Sequence, residues 1–181
     1  MLDLVRYARA DKELNAQKLV GPKSTICACC QHMPATATVG DTTLCPTCLP
    51  AFALDASGID HVASLIWLPQ LEQGVLSRLV LTLHVTCARQ SVTVRTAATG
   101  EAGIAAMNFE LLKRRETALV NRIGTAKISE FREACKELKI DPVQRAHFVN
   151  GIRVLHHGCW FGDAPQLYDN YLRALIGGVP F

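Results

Sequence analysis

Cys27-Ala28-Cys29-Cys30, fourteen residues, then Cys45-Pro46-Thr47-Cys48: the reading of this stretch governs the rest of the chain. A Cys-x-x-Cys turn aims two sulfurs at one point. Two such turns brought together complete the tetrahedron that Zn²⁺ prefers, at Zn–S distances of about 2.3 Å. The spacing predicts a structural zinc site with Cys27, Cys30, Cys45 and Cys48 as ligands. Cys29 is an alternative to Cys30, although Cys27-x-Cys29 makes a tighter turn, and His32 is an alternative to one thiolate. Four thiolates suit iron as well as zinc. With four protein ligands, no position is left for a catalytic water.

The surrounding segment has the punctuation of loops and short strands. Gly21-Pro22, Pro34, Gly40-Asp41, Pro46 and Pro50 break it up, and the stretch between the cysteine pairs has room for one hairpin turning near Gly40-Asp41. So short a module has almost no core of its own. Metal binding is expected to supply most of its folding energy, about 10–16 kcal/mol for structural sites. A thioredoxin-like redox pair does not fit, because no strand-to-helix α/β unit follows the motif.

The whole chain has 181 residues, 49% hydrophobic and 19% charged. The charged share of an ordinary soluble domain is about 25%. This composition excludes disordered, collagen-like and coiled-coil classes. A net charge of +3 is too mild to announce a nucleic-acid partner. The low charge and a mean hydropathy of +0.16 are those of a chain with apolar surface for a partner to cover. The longest apolar run, Leu79–Ala88, has ten residues between Arg78 and Arg89; a membrane-spanning helix needs about 20. Met1–Val20 is rich in charge and reads as no secretory signal. A cytoplasmic location is expected, and there the eight cysteines read as thiols or metal ligands, not disulfides.

Three zones follow. Residues 1–20 read as an N-terminal amphipathic helix with Leu4, Tyr7, Ala8 and Leu14 on one side. Residues 21–63 form the four-cysteine zinc module and its connector. Residues 64–181 form a helical body packed on it as one compact unit. Within that body Ser64–Leu68 reads as a strand ended by Pro69. Leu71, Val75, Leu76, Leu79, Leu83 and Cys87 mark the most buried helix, with Val80 and Leu81 widening its stripe. Residues 101–123 form a helix ended by Gly124. Thr125 is the expected N-cap for a helix carrying Ile128, Phe131, Cys135 and Leu138. Asp141-Pro142 opens a helix through about Leu155, with Phe148, Ile152 and Leu155 on one face. A last helix from about Asp163 packs Leu167, Tyr168, Tyr171, Leu172 and Leu175. The expected class is mainly α with a small zinc-stabilised β-hairpin module, a small α+β fold.

Other polar groups carry less. Lys113-Arg114-Arg115 reads as a solvated helix face whose field Glu110 and Glu116 blunt, or else as a phosphate contact. His84 and Cys87 lie at i, i+3 on the most apolar helix and read as core. His156-His157-Gly158-Cys159-Trp160 reads as a turn with Cys159 and Trp160 packed inward, or as a metal-binding or contact loop. Phosphate-loop, H-E-x-x-H and G-x-S-x-G motifs do not occur, and no nucleophile–base pair is evident.

The order of motifs resembles a known family. Two Cys-x-x-Cys pairs precede Ser64-Leu65-Ile66-Trp67-Leu68-Pro69-Gln70-Leu71-Glu72-Gln73 and an apolar helix; later come Gly124-Thr125, Asn150-Gly151-Ile152-Arg153-Val154-Leu155 and a helix with Tyr168 and Tyr171. This order is similar to the DotN (IcmJ) proteins of type IVB secretion and related conjugation systems, over about residues 20–175. The chain differs from them in its short inter-cysteine stretch, in Cys29 and in its N-terminal helix. The resemblance implies a zinc-bearing, HNH-like core without a working nuclease site. It also implies an adaptor that binds the cytoplasmic C-terminal tail of the coupling ATPase, and so sits at the inner face of the inner membrane. Cys27, Cys30, Cys45 and Cys48 carry over as zinc ligands. Two other functions compete with this one: a nucleic-acid-binding zinc module using Lys113–Arg115, and an HNH-like nuclease with His32 or His61 as base.

Overall fold

The computed structural model describes residues 17–18, 25–137 and 149–178. They form an α+β molecule, about 48% helix and 13% strand in two small sheets. The first sheet has three strands in sequence order, β1 (Gln17–Lys18), β2 (Ala37–Val39) and β3 (Thr42–Leu44), all antiparallel. The β2–β3 hairpin turns at Gly40-Asp41 as expected, with Gly40 at φ +55°, where a side chain is disfavoured. β1 corrects the reading of residues 1–20 as one helix: Gln17 and Lys18 pair with Thr38 and Ala37. The rest of that zone lies outside the described residues.

A 3₁₀ turn, Leu49–Ala51, and the short helix α1 (Ile59–Val62) lead into the second sheet. Its strands, β4 (Ala63–Trp67) and β5 (Ile152–His156), pair antiparallel from Ala63↔His156 to Trp67↔Ile152. β4 is the strand that the apolar run predicted. β5 overturns the helix drawn through Leu155; residues 141–148, where that helix would start, lie outside the described residues. The strand has a physical cause. Gly151 turns the chain at φ +96°, and a Cβ there would stand 2.8 Å from the Trp67 ring. The strand that follows is buried throughout, its Ile152, Val154 and Leu155 apolar and its Arg153 and His156 buried polar groups.

Helix α2 (Gln73–Arg89) lies against β5 and the final helix on one side and against α3 (Gly100–Lys113) on another. Being covered on several sides explains its breadth of apolar residues. Val75 and Leu79, though, face outward, 39% and 40% exposed. Gln73, at its first turn, finishes the open edge of β5: its amide nitrogen donates to the Val154 carbonyl (2.9 Å), and its oxygen accepts from the Val154 N–H (2.8 Å). One side chain thus imitates a neighbouring strand.

The predicted helix 101–123 is broken at Arg114 into α3 and α4 (Arg115–Ile123). No proline or glycine marks the break. The change of direction lets α4 lay Leu119, fully buried, beside β4. Gly124 closes α4 at φ +87°, as expected. The next helix, α5 (Ile128–Glu137), takes its cap from far away. Asp60 accepts from the Ile128 and Ser129 amides at 2.7 and 3.1 Å and also bonds the Ser129 hydroxyl. Thr125, the expected cap, instead accepts from the Lys127 amide and donates to Glu130. The last helix, α6 (Leu167–Gly177), buries Tyr168, Tyr171 and Leu172 and leaves Leu167 outward. No helix among the described residues is long and apolar enough to cross a membrane.

Candidate metal centre

The two cysteine turns are built by the backbone before any side chain matters. In the first, the Gln31 amide bonds the Cys27 carbonyl at 2.9 Å and the Cys27 amide bonds the Met33 carbonyl at 2.9 Å. In the second, the Cys48 and Leu49 amides both bond the Cys45 carbonyl, at 3.1 and 3.0 Å. The hairpin brings the turns together. β3 runs straight into Cys45, and the Ala28 amide reaches back to the Thr43 carbonyl at 2.9 Å.

The result is one cluster of Cys27, Cys30, Cys45 and Cys48, all buried, their sulfurs within 4.8 Å of one another. Cys30 Sγ and Cys45 Sγ stand 3.8 Å apart. Sulfurs at about 2.3 Å from a tetrahedral ion are separated by roughly 3.8 Å. All four thiols are free of disulfides. The spacing and the all-sulfur donor set therefore fit a tetrahedral metal ion. Cys29 is half-buried and His32 exposed, and both lie outside the quartet.

The electrostatics show what such packing costs without a cation. Cys30 pushes the Cys27 thiol up, but hydrogen bonds from Cys45 and Cys48 outweigh it and bring Cys27 down to about 6. Cys30 is pulled down by hydrogen bonds from Cys27, then Cys45 and Cys48. Cys45 is pushed up by Cys27 and Cys30. Cys48 is pushed up by Cys27, Cys29, Cys30 and Cys45, and further by burial. Sulfurs this close cannot all be thiolates unless a positive ion sits among them.

Two contacts tie the centre to the body. Gly74, in the first turn of α2, lies so close to the first turn of the site that a Cβ would fall 2.2 Å from the Cys29 carbonyl oxygen. The start of that helix is thereby packed directly on the backbone of the first cysteine turn. On the other side, Thr47 Oγ1 meets Tyr168 Oη at 3.2 Å, and Tyr168 Oη meets His84 Nδ1 at 2.9 Å. Burial holds His84 well below the ordinary imidazole range, so the ring is neutral. This relay was hidden in the sequence, because Thr47, His84 and Tyr168 belong to three separate elements. It also accounts for His84 as a core histidine, while Cys87 donates to the Ala102 carbonyl at 3.6 Å.

The His156–Trp160 segment divides its donors. His156 Nε2 donates to the Cys159 carbonyl at 2.9 Å and packs against Tyr168 with ring centroids 4.3 Å apart. Trp160 is buried, as expected, while Cys159 is only half-buried. Among the described residues, the cysteine quartet is the one group of three or more His, Cys, Asp or Glu side chains placed to share an ion. Compared with known proteins, the chain matches no family model and no curated protein.

Proposed function

We propose that this chain is a non-catalytic, zinc-stabilised adaptor. The observation that carries this reading is the closed quartet of buried sulfurs, which offers an ion four ligands and leaves no place for water or substrate. Zinc is the ion proposed, on the double Cys-x-x-Cys spacing. The partner proposed is the cytoplasmic C-terminal tail of a coupling ATPase in a type IV secretion or conjugation complex, which would bring the adaptor to the inner membrane. That part rests on the resemblance of motif order to the DotN proteins.

An apolar face of α3 supports a binding role. Ile104, Met107 and Leu111, at i, i+3 and i+7, are 58%, 62% and 55% exposed, while Ala102, Ala105, Ala106 and Phe109 bury the opposite face. Such a stripe suits a helix-in-groove contact. Lys113, Arg114 and Arg115 follow it directly. The apolar breadth of α2 is covered by packing within the fold, against β5, α3 and α6.

Co-purification with the isolated tail at micromolar concentration tests the partner. Association is expected, and Met107→Asp should weaken it at least tenfold, about 1.4 kcal/mol, with no change in bound metal. Failure to associate removes the ATPase. Elemental analysis that finds no zinc in wild-type protein, with Cys27→Ser and Cys48→Ser as controls, removes the zinc-stabilised scaffold itself. A salt-sensitive shift with DNA in place of tail binding would favour the nucleic-acid function.

A further inference from the structure

Where β5 ends and β4 begins, three polar side chains from three elements stand in a row. Ser64 Oγ stands 2.5 Å from Glu116 Oε1, within hydrogen-bond distance. The same hydroxyl oxygen is 2.9 Å from His157 Nε2, and His157 Nδ1 is 3.1 Å from the His61 carbonyl oxygen. Ser64 is buried on β4; His157 and Glu116 are half-buried. The strand pairing Ala63↔His156 brings Ser64 and His157 together, and the bend at Arg114 delivers Glu116.

The hydrogens in this row can be counted. A carbonyl oxygen only accepts, so His157 Nδ1 must carry a hydrogen. Ser64 has one hydroxyl hydrogen and two neighbours. If it goes to Glu116, then Nε2 needs its own hydrogen and His157 is an imidazolium. If it goes to Nε2, the contact with Glu116 needs a proton on the carboxyl. Either way, the complete row holds one proton more than a neutral imidazole and a carboxylate supply.

We infer that Glu116, Ser64 and His157 form a proton-binding latch between β4, β5 and α4, closed while it holds this extra proton and missing one link once the proton leaves. Closed, the imidazole–carboxyl pair has no net charge. Open, it carries the single negative charge of Glu116, next to Lys113–Arg115.

The surroundings place the transition. Burial pushes the His157 imidazolium down; the His61 carbonyl opposes, Arg95 beyond α2 adds to the push, Glu116 on α4 opposes, and Lys113 at the end of α3 adds to it. His156 beside it and His84 on α2 are both held neutral by burial. Cys159, whose Sγ donates to the same His61 carbonyl at 3.3 Å, has its thiol raised by burial. The net direction for His157 is downward, so the latch closes on the acid side of 6.5 and opens toward neutral pH.

E116Q isolates the proton. Its amide nitrogen donates to Ser64 Oγ, Ser64 donates to His157 Nε2, and His157 Nδ1 donates to the His61 carbonyl, so every link is made with no added proton. Thermal unfolding of the full chain, wild type and E116Q, is compared at about pH 5 and about pH 8. The midpoint of E116Q relative to wild type should be higher at about pH 8, and that advantage should shrink or reverse at about pH 5. In ¹⁵N NMR, the His157 ring should titrate together with the Ser64 amide in wild type and stay in the Nδ1–H tautomer in E116Q. An equal offset at both pH values, or the same His157 titration in both proteins, overturns the latch.

Discussion

The cysteine module and the β4–β5 ribbon both lie in the core, but they are ordered by different means. β2 and β3 have three residues each, and the module meets the body through a few apolar side chains, Val39 and Leu44 from the strands and Leu49 and Leu54 beyond the second cysteine pair. Those side chains join a cluster that also holds Phe131, Ile152, Tyr168 and Leu172. The module therefore borrows its core from the body and keeps only sulfur for itself. The ribbon has Leu65, Ile66, Val154 and Leu155 buried on its faces and Gln73 closing an edge. Apolar area stabilises it at about 25 cal/mol per Å² removed from water, with no ion involved. On the proposed metal reading, the fold joins one part expected to need an ion to another expected to hold without it.

Removing the ion should break this comparison open first and furthest. Chelation, or Cys48→Ser, should abolish amide protection across residues 25–54, with a loss approaching the ~10–16 kcal/mol of structural zinc sites. Protection at Leu65 and Val154 should persist, as read by hydrogen exchange. If both regions lose protection together, the contrast fails and the module is part of one cooperative unit.

Acid should act on the ribbon side. Burial pushes His156 down to about 3, against a pull from the Cys159 carbonyl. The unfolded chain takes up that proton near 6.5, and the fold refuses it. This contribution to stability is full above 6.5 and is lost as pH falls toward 3, at up to about 1.4 kcal/mol per pH unit. Denaturant titrations of wild type and His156→Phe, run with chelator present, should show a shallower slope in the variant. The smallest effect is expected at the seam between α1 and α5. Asp60→Ala leaves the Ile128 and Ser129 amides without their cap and should cost about 0.5–2 kcal/mol, seen as a lowered unfolding midpoint with unchanged metal content.

The cysteine spacing, the turn at Gly40-Asp41, the β4 run and the stop at Gly124 were legible because each is a local signal. β5 was not. Ile152 and Leu155 are spaced as well for a helix face as for a buried strand, and only pairing with a strand far away in sequence decides between them. The cap on α5 escaped for the same reason: Thr125 is the nearest capping side chain, but Asp60 arrives through the tertiary fold. The break at Arg114 has no sequence marker at all; packing of Leu119 on β4 imposes it. Four cysteines could be picked out by spacing, whereas Thr47, Tyr168 and His84 acquire a shared role only once three elements have docked.

The missing side chain at Gly74 has a reach beyond the quartet. With the Cys29 carbonyl seated where a methyl group would be, the amino end of α2 and the first sulfur turn must settle in one register or not dock at all. The first sulfur turn is thereby keyed to one side of the longest helix in the described chain, whose other sides pack on β5 and on α3. A chain short of that ion would lose the docking at Gly74 while α2 kept its packing on β5 and α3.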